Sequence, residues 1–224
     1  MDASRRRKAL LVITLVTLVQ ALTHFGVVYS DSKDYYSLTK FIEGLRSSQP
    51  SSVALVARPL LPLMAVPLDL ALGLPVAYGI LNTVLWLASA LALYSLTKEL
   101  LGCEESALYA ALLLSTCWPM VLYGAASMTE AAGLFATLAT LLLAFKSMKD
   151  EPPPSRMVLF GLVCGLLTLM REVVLVALAS SLLFAVWRRR RALLIYFVAP
   201  WVAAIAAYQA YVHLAFGLNY VTHY

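Results

Sequence analysis

The sequence predicts an all-α polytopic membrane protein with about seven transmembrane helices and an amphipathic external first loop. Three observations carry this expectation. Of the 224 residues, 62% are hydrophobic and 13% charged, against roughly 45–50% and 25% in soluble domains. The apolar runs are long and rich in Leu, Ala and Val, with no alternation of period two, which favours spanning helices over an outer-membrane barrel. The basic residues fall in short blocks beside those runs, the pattern that encodes orientation, so the net charge of +5 is no nucleic-acid signal.

The whole of 1–224 reads as a single membrane domain. Met1 to Lys8 is polar and basic, and residues 9–29 run apolar to Tyr29. A run of about 20 residues exceeds the roughly 7–15 of a signal-peptide core, and no small-x-small site precedes Asp31, so a retained first helix is expected rather than a cleaved leader. Residues 30–74 form the external loop. Its start, Ser30-Asp31-Ser32-Lys33-Asp34-Tyr35-Tyr36, places two carboxylates where the chain leaves the membrane. Tyr35, Leu38, Ile42 and Leu45 then follow at helical spacing, predicting a short amphipathic helix on the membrane surface. Residues 53–74 are apolar but broken by Pro59, Pro62 and Pro67, with Arg58 and Asp69 inside. Proline at that density disfavours a regular spanning helix, so this stretch reads as an interfacial or partly buried segment. A kinked extra span is the alternative, and it would reverse the topology of everything downstream.

The remaining spans are expected at about 75–97, 106–125, 129–146, 157–170, 173–187 and 192–214. The third has Pro119 near its outer end. The fourth is entered at Thr129-Glu130 and closed by Lys146 and Lys149, and Pro152 to Pro154 mark a loop. The fifth and sixth are short, but merging them would bury Arg171-Glu172 at mid-membrane at high cost. With the N-terminus cytoplasmic, 12 of the 17 basic residues face inward (Arg5, Arg6, Arg7, Lys8, Lys98, Lys146, Lys149, Arg156 and Arg188 to Arg191). Only Lys33, Lys40, Arg46, Arg58 and Arg171 face outward, so the chain is expected to be a multi-pass cell-membrane protein with an external C-terminus. The external face then collects Asp31, Asp34, Glu43, Arg58, Glu130, Arg171, Glu172, His213 and His223. Tyr35, Tyr36, Tyr123, Tyr211, Tyr220 and Tyr224 fit an aromatic belt. Cys103, Cys117 and Cys164 have no metal-ligand spacing, and no disulfide is expected.

The order of segments resembles the GT-C superfamily of membrane glycosyltransferases, which includes protein mannosyltransferases and aminoarabinose transferases. Asp31-Ser32-Lys33-Asp34-Tyr35, with Leu38 and Gly44, is similar to that family's acidic first external loop. Arg58-Pro59-Leu60-Leu61-Pro62-Leu63 resembles the proline-rich segment leading to the second span. Glu130 falls where an acidic residue opens the fourth span. Gly161 to Arg171 resembles a glycine-containing span that ends in arginine, and Phe216-Gly217-Leu218-Asn219-Tyr220 is similar to a Phe-Gly segment after the seventh. Two departures stand out: Ser32 takes the second place of the usual acidic pair, and only the shared seven-helix module is matched.

The resemblance implies a polyprenyl-phosphate-linked sugar donor in the membrane lipid, transfer at the outer face, and inversion at the anomeric carbon. It implies Asp31 as general base with Asp34 second, because a carboxylate within hydrogen-bond reach takes the acceptor proton. Arg171, then Arg58, would face the lipid phosphate through the planar guanidinium fork, with Glu130 holding the acceptor. No cofactor or metal ligand is expected; a divalent ion held by His213, His223 and Asp31 is the alternative. Each residue also has a structural reading: Asp31 as a helix N-cap, Asp34 and Glu130 as helix-start acids, Arg171 as a snorkelling arginine or the partner of Glu172. Two other functions stay open. One is a non-catalytic membrane subunit that keeps this module but serves a larger complex, with a second membrane subunit as partner, or a lipid carrier; the other is a small transporter, disfavoured because charges lie at span ends rather than mid-membrane.

Overall fold

The computed structural model of the chain describes residues 3–30, 32–44, 52–149 and 152–218, and every regular element among them is helical. In order these are α1 (Ala3–Ala21), followed by a 3-10 turn at Leu22–His24, α2 (Ser32–Ile42), α3 (Ser52–Ala57), α4 (Leu60–Leu72) and α5 (Leu74–Leu101). Then come α6 (Glu104–Thr116), α7 (Trp118–Tyr123), α8 (Glu130–Lys149) and α9 (Pro154–Thr168). A 3-10 turn, Glu172–Val174, precedes α10 (Leu175–Trp187), and α11 covers Arg191–Phe216.

Among the described residues, four helices are long and apolar enough to cross a membrane: Arg7–His24, α5, α8 and α11. The chain is thus an all-α membrane protein, with four helices of spanning length where the sequence predicts seven spans. α4, α9 and the Glu172–Trp187 segment are apolar but shorter; helices of 13–16 residues reach only about 20–24 Å at 1.5 Å per residue, short of the roughly 30 Å hydrocarbon core.

The differences from expectation have local causes. The third expected span, 106–125, breaks at Cys117, which is extended (φ −68°, ψ 140°). Pro119 cannot donate to the Ser115 carbonyl and its ring would crowd it, so the helix restarts as α7 with the proline in its first turn. The first apolar run stops being helical after His24, and residues beyond it form backbone bonds to another segment instead. The proline-rich stretch after residue 52 is helical, but in two pieces, because Pro59 disfavours helical geometry at Arg58. The expected break at Arg171 is present, with Arg171 extended at φ −162°, ψ 132°. Within α11 the backbone widens into a π turn at Leu194–Val198, just ahead of Pro200, which removes the hydrogen bond to Tyr196 and needs room for its ring.

By its contacts the chain divides into two compact units, Met1–Lys33 with Met64–Leu138, and Asp34–Leu63 with Ala139–Tyr224. In the first, α1, α5 and α6 pack around Ile13, Ala90, Tyr94, Ala107 and Ala111. Ala107, Ala111 and Ser115 recur every four residues along α6 and are all buried. Small residues at that spacing let helices approach closely where lipid offers no hydrophobic drive. The approach brings the Thr17 and Ser115 hydroxyls to 2.8 Å in a buried hydrogen bond between α1 and α6.

In the second unit α9 packs against α11 through Gly161 and Gly165. A Cβ at Gly161 would run into the Phe197 carbonyl oxygen of the π turn, and one at Gly165 would stand 2.5 Å from the Ala204 methyl. The contact is closed by the Trp201 indole N–H donating to Thr168 Oγ1 at 2.9 Å. Gly161→Ala should therefore destabilise the protein in detergent by about 1–3 kcal/mol, the usual cost of overpacking. Leu159→Ala, at an exposed position of the same helix, should leave thermal unfolding nearly unchanged; equal losses from both would refute the tight crossing.

Candidate functional site

In the second unit two helix breaks lie against each other. Arg58 and Pro59 interrupt α3 and α4, and residues 169–171 interrupt α9 and the following turn. The Leu60 N–H donates to the Leu169 carbonyl at 3.2 Å, joining the breaks through the backbone. Arg58 completes the junction. Its Nε donates to Glu172 Oε2 at 2.8 Å and its Nη2 to Glu172 Oε1 at 2.5 Å, a two-pronged pairing of guanidinium and carboxylate. Its Nη1 donates to the Tyr35 hydroxyl at 2.8 Å. Tyr35 belongs to the buried face of α2, with Leu38 and Thr39, so three chain segments meet at one guanidinium.

The hydrogen bonds from Arg58 hold the Glu172 carboxyl below its usual range, against the opposing effect of burial, and Arg171 adds a further lowering charge. The same pairing raises Arg58. α3 is fixed from the other side by α11. The Tyr208 hydroxyl donates to the Leu55 carbonyl at 2.5 Å and Gln209 Nε2 to the Val56 carbonyl at 2.9 Å. Those carbonyls belong to the last turn of a six-residue helix, which has no intrahelical donors for them. Beside this junction a cavity of about 240 Å³ is lined by Val56, Leu169, Leu175 and Ile205, with Thr168, Glu172 and Gln209 as its polar wall. The Gln209 Oε1 is buried there without a hydrogen-bond partner among the described residues.

In the first unit the segment before α2 pairs with the segment before α8. Gly26 N–H donates to the Ala125 carbonyl at 3.0 Å, and Ser127 N–H to the Val27 carbonyl at 2.9 Å. The Ser32 hydroxyl donates to the Ser127 carbonyl at 2.5 Å and accepts from the Tyr29 N–H at 3.1 Å. Asn82, fully buried in α5, donates to the Ala126 and Met128 carbonyls. Tyr29 and Tyr123 stack edge to face, with centroids 5.3 Å apart. Glu130 opens α8 directly after this braced segment and is half-buried.

The positions named from the sequence are thus distributed as follows. Asp31 lies outside the described residues, as do Arg46, Leu45, Tyr220, Tyr224 and His223. Asp34 is exposed in the first turn of α2, one residue before Tyr35. Arg58 and Arg171 are both in the second unit, with Arg58 held by Glu172 and Tyr35 and Arg171 half-buried in the extended break. Glu130 belongs to the first unit. Glu172, considered from the sequence as the partner of Arg171, forms its two-pronged bond with Arg58. Ile42, expected on the apolar face of α2, is exposed. His213 is exposed near the end of α11, and among the described residues no three His, Cys, Asp or Glu side chains converge as metal ligands would.

The sequence reading passed over Asn82, Tyr208 and Gln209. Each was marked by its type: a polar side chain inside a long apolar run is costly unless it has a partner. Asn82 is the one amide in α5.

A family model described as dolichyl-phosphate-mannose-protein mannosyltransferase matches residues 72–216. The match includes Glu130 and Arg171 and begins after Asp31, Asp34 and Arg58. No curated protein and no solved structure matches the chain at a significant level.

The Arg58–Glu172 pair sets a pH dependence. A carboxyl lowered in the folded state stabilises fully above the ordinary glutamate range, and that contribution is lost as the pH falls through the folded value. With side chains 19% and 25% exposed, removing the pair as Glu172→Gln should cost about 1–3 kcal/mol at neutral pH, between exposed and fully buried pairs. The difference from the parent protein should shrink on acidification. A constant difference down to the acid limit would contradict the pairing.

Proposed function

The chain belongs to the dolichyl-phosphate-mannose-protein mannosyltransferase family and is a membrane glycosyltransferase using a polyprenyl-phosphate-linked sugar, and we propose that it transfers the sugar, with inversion, to an acceptor hydroxyl at the outer face of the membrane. The family match over more than half of the chain carries this reading. The side is supported by the excess of basic residues on the opposite loops.

In the proposed reaction the acceptor oxygen attacks the anomeric carbon as the bond from that carbon to the phosphate oxygen breaks. The bonding pair leaves with the lipid phosphate, and the acceptor proton passes to a carboxylate of the first loop. Asp31 is the first choice of base by its place in the loop, and Asp34, on the exposed face of α2, is the second. Arg171 stabilises the developing phosphate charge as a planar double donor. Arg58 is a positioning residue in this reading, because all three of its donor nitrogens are engaged by Glu172 and Tyr35. It would set where the residue 169–171 break, and hence Arg171, stands. The reaction as written needs no cofactor.

The test is sugar transfer from radiolabelled polyprenyl-phosphate sugars in membranes containing the full chain. Loss of about two orders of magnitude is expected for whichever of Asp31→Asn and Asp34→Asn removes the base. Arg171→Gln should lower turnover more than donor affinity, whereas Arg58→Lys should lower both. Unchanged transfer in both aspartate variants would exclude the loop as the source of the base, and loss on chelation would replace the arginine reading with a divalent ion. Absence of transfer by the folded parent chain, restored by a second membrane subunit, would favour the accessory-subunit reading.

A further inference from the structure

At another place in the second unit, the end of α8, the start of α9 and the turn between α10 and α11 enclose a cavity of about 310 Å³. Its wall has two kinds of surface. Arg190 and Arg191 supply donors, while Met157, Leu193 and Pro152 supply apolar area. The described residues 146–149, 152–157 and 188–196 that border it carry Lys146, Lys149, Arg156 and Arg188 to Arg191.

The arginines are arranged, not merely abundant. α10 ends at Trp187, and the chain turns through Arg189 at φ 53°. That left-handed conformation is uncommon for a residue with a side chain and carries strain. The turn is closed by the Arg190 N–H donating to the Ala185 carbonyl at 2.9 Å. Arg190 Nη1 donates to the Met148 carbonyl at 2.9 Å, which fixes one guanidinium at the cavity wall while α8 is finishing. The first turn of α9, a 15-residue helix, also borders the cavity, and helix starts favour negative charge.

A second observation sets the depth of this cavity in the membrane. The Arg188 guanidinium stands 5.2 Å over the exposed Trp187 ring, and Lys149 Nζ stands 5.7 Å over the Phe145 ring. Tyr196 lines the cavity mouth and is also exposed. Tryptophan, tyrosine and basic residues together mark the headgroup level of a bilayer. A phosphate held there has arginines on one side and acyl-compatible surface on the other.

We infer that this cavity holds the phosphate of an anionic phospholipid, as a lipid site separate from the Arg58–Glu172 junction. The inference does not depend on the transferase reading. Each arginine near the headgroup surface should be worth about a fivefold preference for anionic over zwitterionic lipid.

The experiment purifies the full chain, exchanges it into nanodiscs of equal phosphatidylglycerol and phosphatidylcholine, and counts retained lipid by native mass spectrometry. The parent protein should retain phosphatidylglycerol preferentially. Arg191→Gln should lower that preference about fivefold. Arg190→Gln should do so as well and Arg190→Lys should restore most of it, which separates charge from any effect on folding. Equal preference in the parent and in both glutamine variants would overturn the site. Displacement of the lipid by millimolar inorganic phosphate would also overturn it, because the cavity would then be a free-phosphate site.

Discussion

Hydrocarbon offers no hydrogen bonds, so wherever this chain stops being helical some other part of the protein must satisfy its backbone. That constraint explains most of what is irregular here. The Arg58–Pro59 break is matched to the break at residues 169–171 through Leu60 and Leu169. The last carbonyls of α3 are met by Tyr208 and Gln209 of α11. In the first unit, residues 26–32 and 125–128 satisfy one another, with Asn82 covering two further carbonyls. Each of these three stretches is therefore fixed by a partner that is distant in sequence.

The same economy places the charged side chains. Charges are expensive inside a lipid. Breaks between helices are where backbone leaves regular structure and where Arg58, Arg171 and Glu172 stand. Arg58 shows how one of these residues is made structural. Its charge is neutralised by Glu172 and its third nitrogen donates to Tyr35, so it joins segments. In the neighbouring helix pair, glycines rather than charges do the joining: Gly161 and Gly165 allow α9 to lie against the widened turn of α11.

Much of this was legible in the residues. The division between α9 and α10 followed from the cost of burying Arg171 and Glu172, and the structure breaks there. α2 followed from the spacing of Tyr35 and Leu38, both buried. The end of α8 followed from Lys146 and Lys149. Other features were not legible. Hydropathy counts apolar residues but does not register the proline that interrupts them, so 106–125 read as one span although Pro119 divides it. The run to Tyr29 likewise read as one helix, because the backbone bonds that take over after His24 come from residues 125 and 127.

What the sequence determined by itself was class: an all-helical membrane protein, its charge asymmetry, the ends of several helices, and which ionisable residues fall at those ends. These are properties of composition and short-range spacing, set by transfer free energy and by the backbone limits of proline. What only the tertiary structure decided was partnership. Glu172 lies one residue from Arg171 in the chain, yet it is bonded on both oxygens by Arg58, 114 positions away. The choice was made by packing, because the two-pronged geometry requires the planar faces of guanidinium and carboxylate to meet in register. An extended backbone at residue 171 and a proline-broken one at residue 58 bring them there.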